Sequence, residues 1–178
     1  DTTRPYYRST HVFVTRERDG LAVRSMDDPR LTRLKIGVHV VGDDYASPPP
    51  LQALGRRGIV RNVSGYSLYG NYAEADPPAR VIEAVANSDV DVAIVWGPLG
   101  AYFAARQKVP LRVTEMASDA DGPGLPFSYA ISMGVRTGDQ RLRQSLQDVL
   151  DRNAIEIQNI LRAYRVPLKP LAAQRGGA

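Results

Sequence analysis

The sequence predicts an α/β fold, and three observations carry that prediction. Apolar runs of strand length alternate with segments of helical period through most of the chain. Two of those runs, Leu34–Val41 and Val90–Trp96, are almost unbroken in hydrophobicity, as strands covered on both faces are. The 178 residues, 43% hydrophobic and 24% charged, suit one ordinary globular domain or one large lobe with a remnant of another.

The elements follow in order. Tyr7–Val14 is rich in aromatic and β-branched residues and reads as a strand. Leu34–Val41 is a buried strand running into the turn Gly42-Asp43-Asp44, after which Ser47 offers an N-cap before prolines suited to a first turn. The short helix that follows is expected to stop near Gly55 or Gly58. Asn62–Asn71 is aromatic and glycine-punctuated, a strand or a loop. Pro77-Pro78 opens a helix to about Asn87, with Ala79, Ile82, Val85 and Ala86 at helical spacing. Val90–Trp96 is a strand, Pro98 begins a helix to about Lys108, and Leu111–Glu115 is a further strand. Strands separated by helices of this length predict a parallel sheet with helices on its faces.

At Asp119–Pro126 two glycines and two prolines in eight residues read as a linker. Phe127, Tyr129, Ile131, Met133 and Val135 then alternate with small residues, a strand with one heavy face. Thr137-Gly138-Asp139-Gln140 fits a capping box. Leu142, Leu146, Val149, Leu150, Ile157, Ile160, Leu161 and Tyr164 form one stripe, longer than a usual helix, so two helices meeting near Asn153 are expected. Pro167 ends them, and residues 168–178 read as a tail. Each large apolar side chain of the stripe is worth about 1.5–3 kcal/mol when buried. The stripe therefore needs a surface to cover: the preceding α/β block, a part outside this chain, or another subunit.

Composition excludes several classes of chemistry. With no cysteine there are no disulfides, thiolate metal sites or cysteine nucleophiles. No apolar run approaches the roughly 20 residues of a membrane helix, so no membrane insertion is expected. The net charge of +4 comes from scattered arginines, densest at Arg56, Arg57 and Arg61, without a basic stripe or a nucleic-acid-binding module, so no nucleic acid partner is expected. Asp119-Ala-Asp121-Gly122 opens like a calcium loop, but its glycine comes two positions early and Ala130 stands where the bidentate glutamate belongs. His11 and His39 are single histidines in strands. Gly37–Gly42 lacks the Lys-Ser/Thr of a phosphate loop. No triad or carboxylate pair suggests an enzyme, and no metal or cofactor is expected.

Thr2-Thr3-Arg4-Pro5-Tyr6-Tyr7-Arg8-Ser9, Ala93-Ile94-Val95-Trp96-Gly97-Pro98 and the closing 134–167 segment resemble the family 3 extracellular solute-binding proteins. More narrowly they resemble the J-type periplasmic proteins (MxaJ/XoxJ type) that accompany PQQ-dependent methanol dehydrogenases. The resemblance spans essentially the whole chain. It implies a periplasmic-binding-protein-like (type II) bilobal fold, of which the chain holds one complete lobe plus the C-terminal part of the other. Residues 1–15 would be a hinge crossing strand and 16–117 the complete second lobe. Residues 118–167 would be the return crossing with the C-terminal helices of the first lobe, and 168–178 a tail.

The resemblance also directs attention to the cleft. Amino-acid-binding relatives grip the ligand carboxylate at a strand–turn–helix corner, where free N–H groups favour an anion. The same corner here carries Asp43 and Asp44, which repel such a ligand; capping of the 48–57 helix is their bland reading. After Asp91-Val92-Ala93-Ile94-Val95, where relatives place an acid for the ammonium, stands Trp96, either a packed aromatic beside Pro98 or a stacking face. Both halves of an amino-acid clamp are thus replaced. Tyr45 and Tyr72, with Tyr66 and Tyr69, add to an aromatic wall, and Arg4, Tyr6 and Tyr7 of the first motif complete the candidate ligand or partner cleft; for Arg4 a hinge salt bridge is the alternative. The implied function is a non-enzymatic periplasmic accessory protein that engages the dehydrogenase or assists its maturation, PQQ and metal belonging to that partner. The other reading is a transporter-type binding protein for a small ligand other than a standard amino acid.

Overall fold

A computed structural model describes residues 1–40, 47–68 and 76–171. Six strands are present among them: β1 (Tyr7–Arg16), β2 (Ile36–Val40), β3 (Val63–Ser67), β4 (Val92–Trp96), β5 (Leu111–Glu115) and β6 (Ser128–Ile131). The helices are α1 (Pro49–Arg56), α2 (Arg80–Ala86), α3 (Gly97–Ala104), α4 (Gln140–Arg152) and α5 (Ala154–Ala163).

The sheet order is β3-β2-β4-β1-β5, with β6 joined to β1. β2 is parallel to β3 and to β4, as the alternating pattern predicts. The wholly parallel sheet is corrected at β1, which runs antiparallel to both β4 and β5 and lies between them. β1 precedes the first strand–helix unit, so no crossover helix obliges it to share the direction of the others. A central position demands apolar cover on both faces, and every residue from Ser9 to Arg16 is buried. The first half of β1 pairs instead with β6, Tyr7 opposite Ile131 and Thr10 opposite Ser128. At His11 the partner changes: its N–H donates to Phe127 O and its own carbonyl accepts from Met116 N–H.

Pleating divides the core. On one face Phe13, Ile36, Val38, Val92 and Ile94 pack with Leu54 of α1, Leu31, Met116 and Phe127. On the other, Val12, Val14, Ala93 and Val95 pack beneath Val81, Ile82 and Val85 of α2 and Phe103 of α3. Arg16, 5% exposed, lies at the far end of β1. Its guanidinium donates to Val85 O (2.6 Å), Val90 O (2.8 Å), Asp19 (2.6 Å) and Asp91 (3.4 Å), so the charge is matched and one carbonyl at the end of α2 and one before β4 are satisfied.

Helix starts depart from the sequence reading in two places. Ser47 does not cap α1: Pro48 stands at the N-cap, and the Ser47 carbonyl accepts from Gln52. The prolines leave few free N–H groups for a side chain to satisfy. The Thr137 capping box does not form either. Gly138 turns with φ +85°, and Asp139 caps α4 by accepting from Leu142 N–H at 3.0 Å. Pro77–Ala79 forms a 3-10 turn leading into α2. α4 and α5 meet at Asn153 as expected. Only Leu150 of the predicted stripe is fully buried, whereas Leu142, Val149, Ile160 and Tyr164 are exposed.

Candidate functional site

In open α/β sheets, ligands sit beyond the carboxyl ends of the strands where successive connections leave in opposite directions. Here the chain goes from β2 to β3 on one side and returns past it to β4 on the other. The carboxyl edge of β2 and β4 is therefore the candidate site. Trp96 ends β4 there in extended backbone, immediately before α3. The alternation Val92, Ile94, Trp96 carries its ring on the face of Phe13 and His11, and His11 stands opposite Trp96 in the ladder.

Three rings meet at this edge. Trp96 lies edge-on to His11 at 5.4 Å between centroids and to Tyr129 of β6 at 5.8 Å; His11 and Tyr129 are 6.3 Å apart. Such edge-to-face contacts place positive ring edges on negative faces and fix the rings in place. His11 is the buried floor, while Trp96 is half-buried and Tyr129 36% exposed. The Tyr129 hydroxyl donates to Pro126 O at 3.1 Å, leaving the ring as the presented surface. His11 Nδ1 lies 2.9 Å from Phe127 O, an acceptor only, so Nδ1 carries the proton and Nε2 a lone pair. Burial lowers the His11 pKa against the opposing pull of that carbonyl, and the ring is neutral at pH 7. The arrangement offers a corner of mutually inclined rings without formal charge, suited to an apolar or aromatic group.

Glycines build the corner. A β-carbon on Gly97 would collide with Thr10 O and lie 3.0 Å from Pro167 Cγ; on Gly100 it would lie 2.7 Å from Val95 and 3.0 Å from Val12. Close approach of α3 to β1, which brings Trp96 to His11, requires both residues to lack side chains.

The structure separates the predicted residues. Trp96 stands at the carboxyl edge, with Tyr7 on the same face of β1 two positions beyond Ser9, half-buried and edge-on to Tyr6 at 5.1 Å. Burial first, and Tyr6 second, raise the Tyr7 pKa. Arg4 forms a salt bridge rather than entering the carboxyl edge: Nη2 reaches Asp151 Oδ2 at 2.6 Å, and its backbone N–H donates to Gln147 Oε1 at 2.8 Å. Arg4 and Tyr6 instead line a cavity of about 500 Å³ against α4 and α5, with Leu150, Ile157 and Gln158. Asp43, Asp44, Tyr45 and Tyr72, and Tyr69, lie outside the described residues. Tyr129 and His11 were not assigned to the site from sequence; the only signal was the heavy face of the 127–135 strand.

The aspartates of the linker are engaged by cations of the chain. Asp121 accepts from Arg57 at 2.6 and 3.0 Å, and Asp119 accepts from Arg8 at 3.1 Å and from Ser128 at 2.7 Å. These partners hold both carboxyls below the usual range, the Arg57 hydrogen bond foremost for Asp121 and the Ser128 hydroxyl foremost for Asp119. Among the described residues no cluster of three or more His, Asp or Glu is placed to hold a metal ion, and no helix is long and apolar enough to cross a membrane.

No family model matches the chain. Protein MoxJ of Methylorubrum extorquens is 31% identical over 96% of this chain, which spans 59% of that protein's length. The crystal structure of the periplasmic binding protein XoxJ from Methylobacterium extorquens AM1 superposes with a TM-score of 0.81 at 31% identity, over 96% of this chain and 74% of that one. The chain belongs to the MoxJ/XoxJ family of periplasmic binding proteins. The crystal structure of MxaJ from Methlophaga aminisulfidivorans MPT shares the fold, with a TM-score of 0.74 at 20% identity over 94% of this chain and 70% of that one. The periplasmic-binding-protein architecture expected from the resemblance of the three segments is thus shown. In this member of the MoxJ/XoxJ family, the carboxyl edge carries the Trp96–Tyr129–His11 group.

Proposed function

We propose that the protein is a periplasmic accessory binding protein of a PQQ-dependent methanol dehydrogenase system, which engages the dehydrogenase or assists its maturation. The observation that carries this reading is 31% identity to XoxJ along nearly the whole chain. The described site supports it: where amino-acid binders of this architecture place an acid after the fourth strand, Trp96 stands with Tyr129, and exposed aromatics of this kind are the usual anchors of protein interfaces. The hinge crossing by β1 and the return crossing through residues 118–128 would set the angle at which that edge meets its partner. Asp43, Asp44, Tyr45 and Tyr72, which lie outside the described residues, are proposed as further contacts for the same partner.

The test is a binding titration with the dehydrogenase by light scattering at low salt, using the native protein and Trp96→Ala. Micromolar binding by the native protein that Trp96→Ala weakens at least ten-fold supports the proposal; a buried aromatic anchor is worth about 2 kcal/mol or more. Absence of a complex, together with a thermal shift on adding a small metabolite, would instead establish a solute receptor, since a ligand at 100 times its Kd adds about 2.7 kcal/mol.

A further inference from the structure

We infer that residues 164–169, read from the sequence as a helix end and the start of a tail, are a strap that locks the C-terminal helices to the α/β lobe and restricts movement between them. β1 and the return segment into β6 already connect the two bodies. Beyond Trp96, the last β4 residue opposite β1, the edge of β1 would be open; the strap occupies it. Pro167 is buried against Gly97 at the start of α3, and its carbonyl accepts from the Ser9 hydroxyl at 2.6 Å. Lys169 N–H donates to Arg8 O at 2.9 Å. Leu171 then reaches the cavity lined by Arg4 and Tyr6, so the segment runs antiparallel along the first half of β1.

Both ends of the strap are fastened to the lobe by side chains. Tyr164, at the end of α5, stacks on Tyr102 of α3 with centroids 5.6 Å apart and planes 9° from parallel, and Arg106 covers the Tyr102 ring at 3.4 Å. Lys169 Nζ lies 3.1 Å from Glu115 at the end of β5 and 3.8 Å from Asp119 in the return segment. Lys169 thus ties the strap to the return segment through its ammonium and to β1 through its backbone N–H, and Asp119 itself also holds Arg8 of β1. A hinge of two strands bends freely about one axis, and a third link off that axis opposes the bend. The strap thereby makes the cleft edge a preformed surface rather than a jaw that closes. This inference does not depend on the identity of the partner.

The chain contains no cysteine, so cysteines introduced at Arg61 on the lobe and Arg141 on α4 would carry two spin labels uniquely. The expected result is a narrow distance distribution in the otherwise native chain, and one roughly two-fold broader in the Tyr164→Ala, Lys169→Gln variant. An equally broad distribution in the native chain, or no broadening in the variant, overturns the inference. Should the double variant fail to fold, Lys169→Gln alone, which removes one surface ammonium, is read by amide exchange over residues 154–163. Exchange roughly three-fold faster or more is expected there, and exchange changed only within residues 164–171 overturns the strap in favour of a passively docked tail.

Discussion

Gly97→Ala and Gly55→Ala are the same chemical change and are expected to move stability in opposite directions. At Gly97 the added methyl would overlap the Thr10 carbonyl oxygen, and backbone cannot step aside as a side-chain tip does. Relief requires α3 to retreat from β1, which loosens Gly100 from Val12 and Val95 and the packing of Phe103 behind them. Overpacking of this kind costs about 1–3 kcal/mol, and the upper half applies where backbone is struck. Gly55 sits in α1 with ordinary helical backbone and open space around it, so alanine there restricts only the unfolded chain and stabilises by about 0.5–1 kcal/mol. For a chain of this size each kcal/mol shifts Tm by about 2–4 °C. Thermal and urea unfolding should place Gly97→Ala about 4–12 °C below the native protein and Gly55→Ala slightly above it. A Gly97→Ala protein as stable as the native one would refute the close approach of α3 to β1, and with it the placement of Trp96 beside His11.

Four further outcomes are expected. Arg16→Met strips partners from Val85 O, Val90 O, Asp19 and Asp91 at a buried position, so urea unfolding should show a loss of about 3–5 kcal/mol. Burial lowers the pKa values of His11 and His39 from 6.5, and among the described residues the buried Nδ1 of His39 meets no acceptor for a second proton. The unfolded chain therefore takes up protons first, stability is full above about pH 6.5 and declines below it, and His11→Phe should flatten that slope in urea titrations between about pH 7.5 and 5. The carboxylates act lower: Asp119 and Asp121 have depressed pKa values, so their contribution persists above about pH 4 and is lost as pH falls through the folded values. Finally, Asp121→Asn should cost about 2 kcal/mol and Asp27→Asn much less, measured the same way, because both bind Arg57 but Asp27 is 78% exposed and Asp121 13%.

Residues with a strong periodic signal were legible as elements. The unbroken apolar runs became β2 and β4, the proline-led segments became α1 and the start of α2, and the long stripe broke at Asn153. Trp96 was legible as the last residue of a strand, because the apolar run and the proline after it mark that end directly. For Arg4 a salt bridge was legible as one of two readings, but not its partner Asp151, 147 positions away, since one sequence carries no record of which distant charge will face it.

What the sequence determined by itself is local: where the chain extends, where it coils, and which motif ties it to the MoxJ/XoxJ family. Strand direction, the exchange of partners at His11, the meeting of Tyr129 with Trp96 and the return of Lys169 to Arg8 were decided only by the tertiary structure. Period and propensity act over a few residues, whereas these contacts join segments 33 to 161 positions apart through the closure of the whole sheet. The glycines mark the boundary between the two: Gly97 stands in plain view in the sequence, but the carbonyl that forbids it a side chain belongs to a strand folded long before it in the chain.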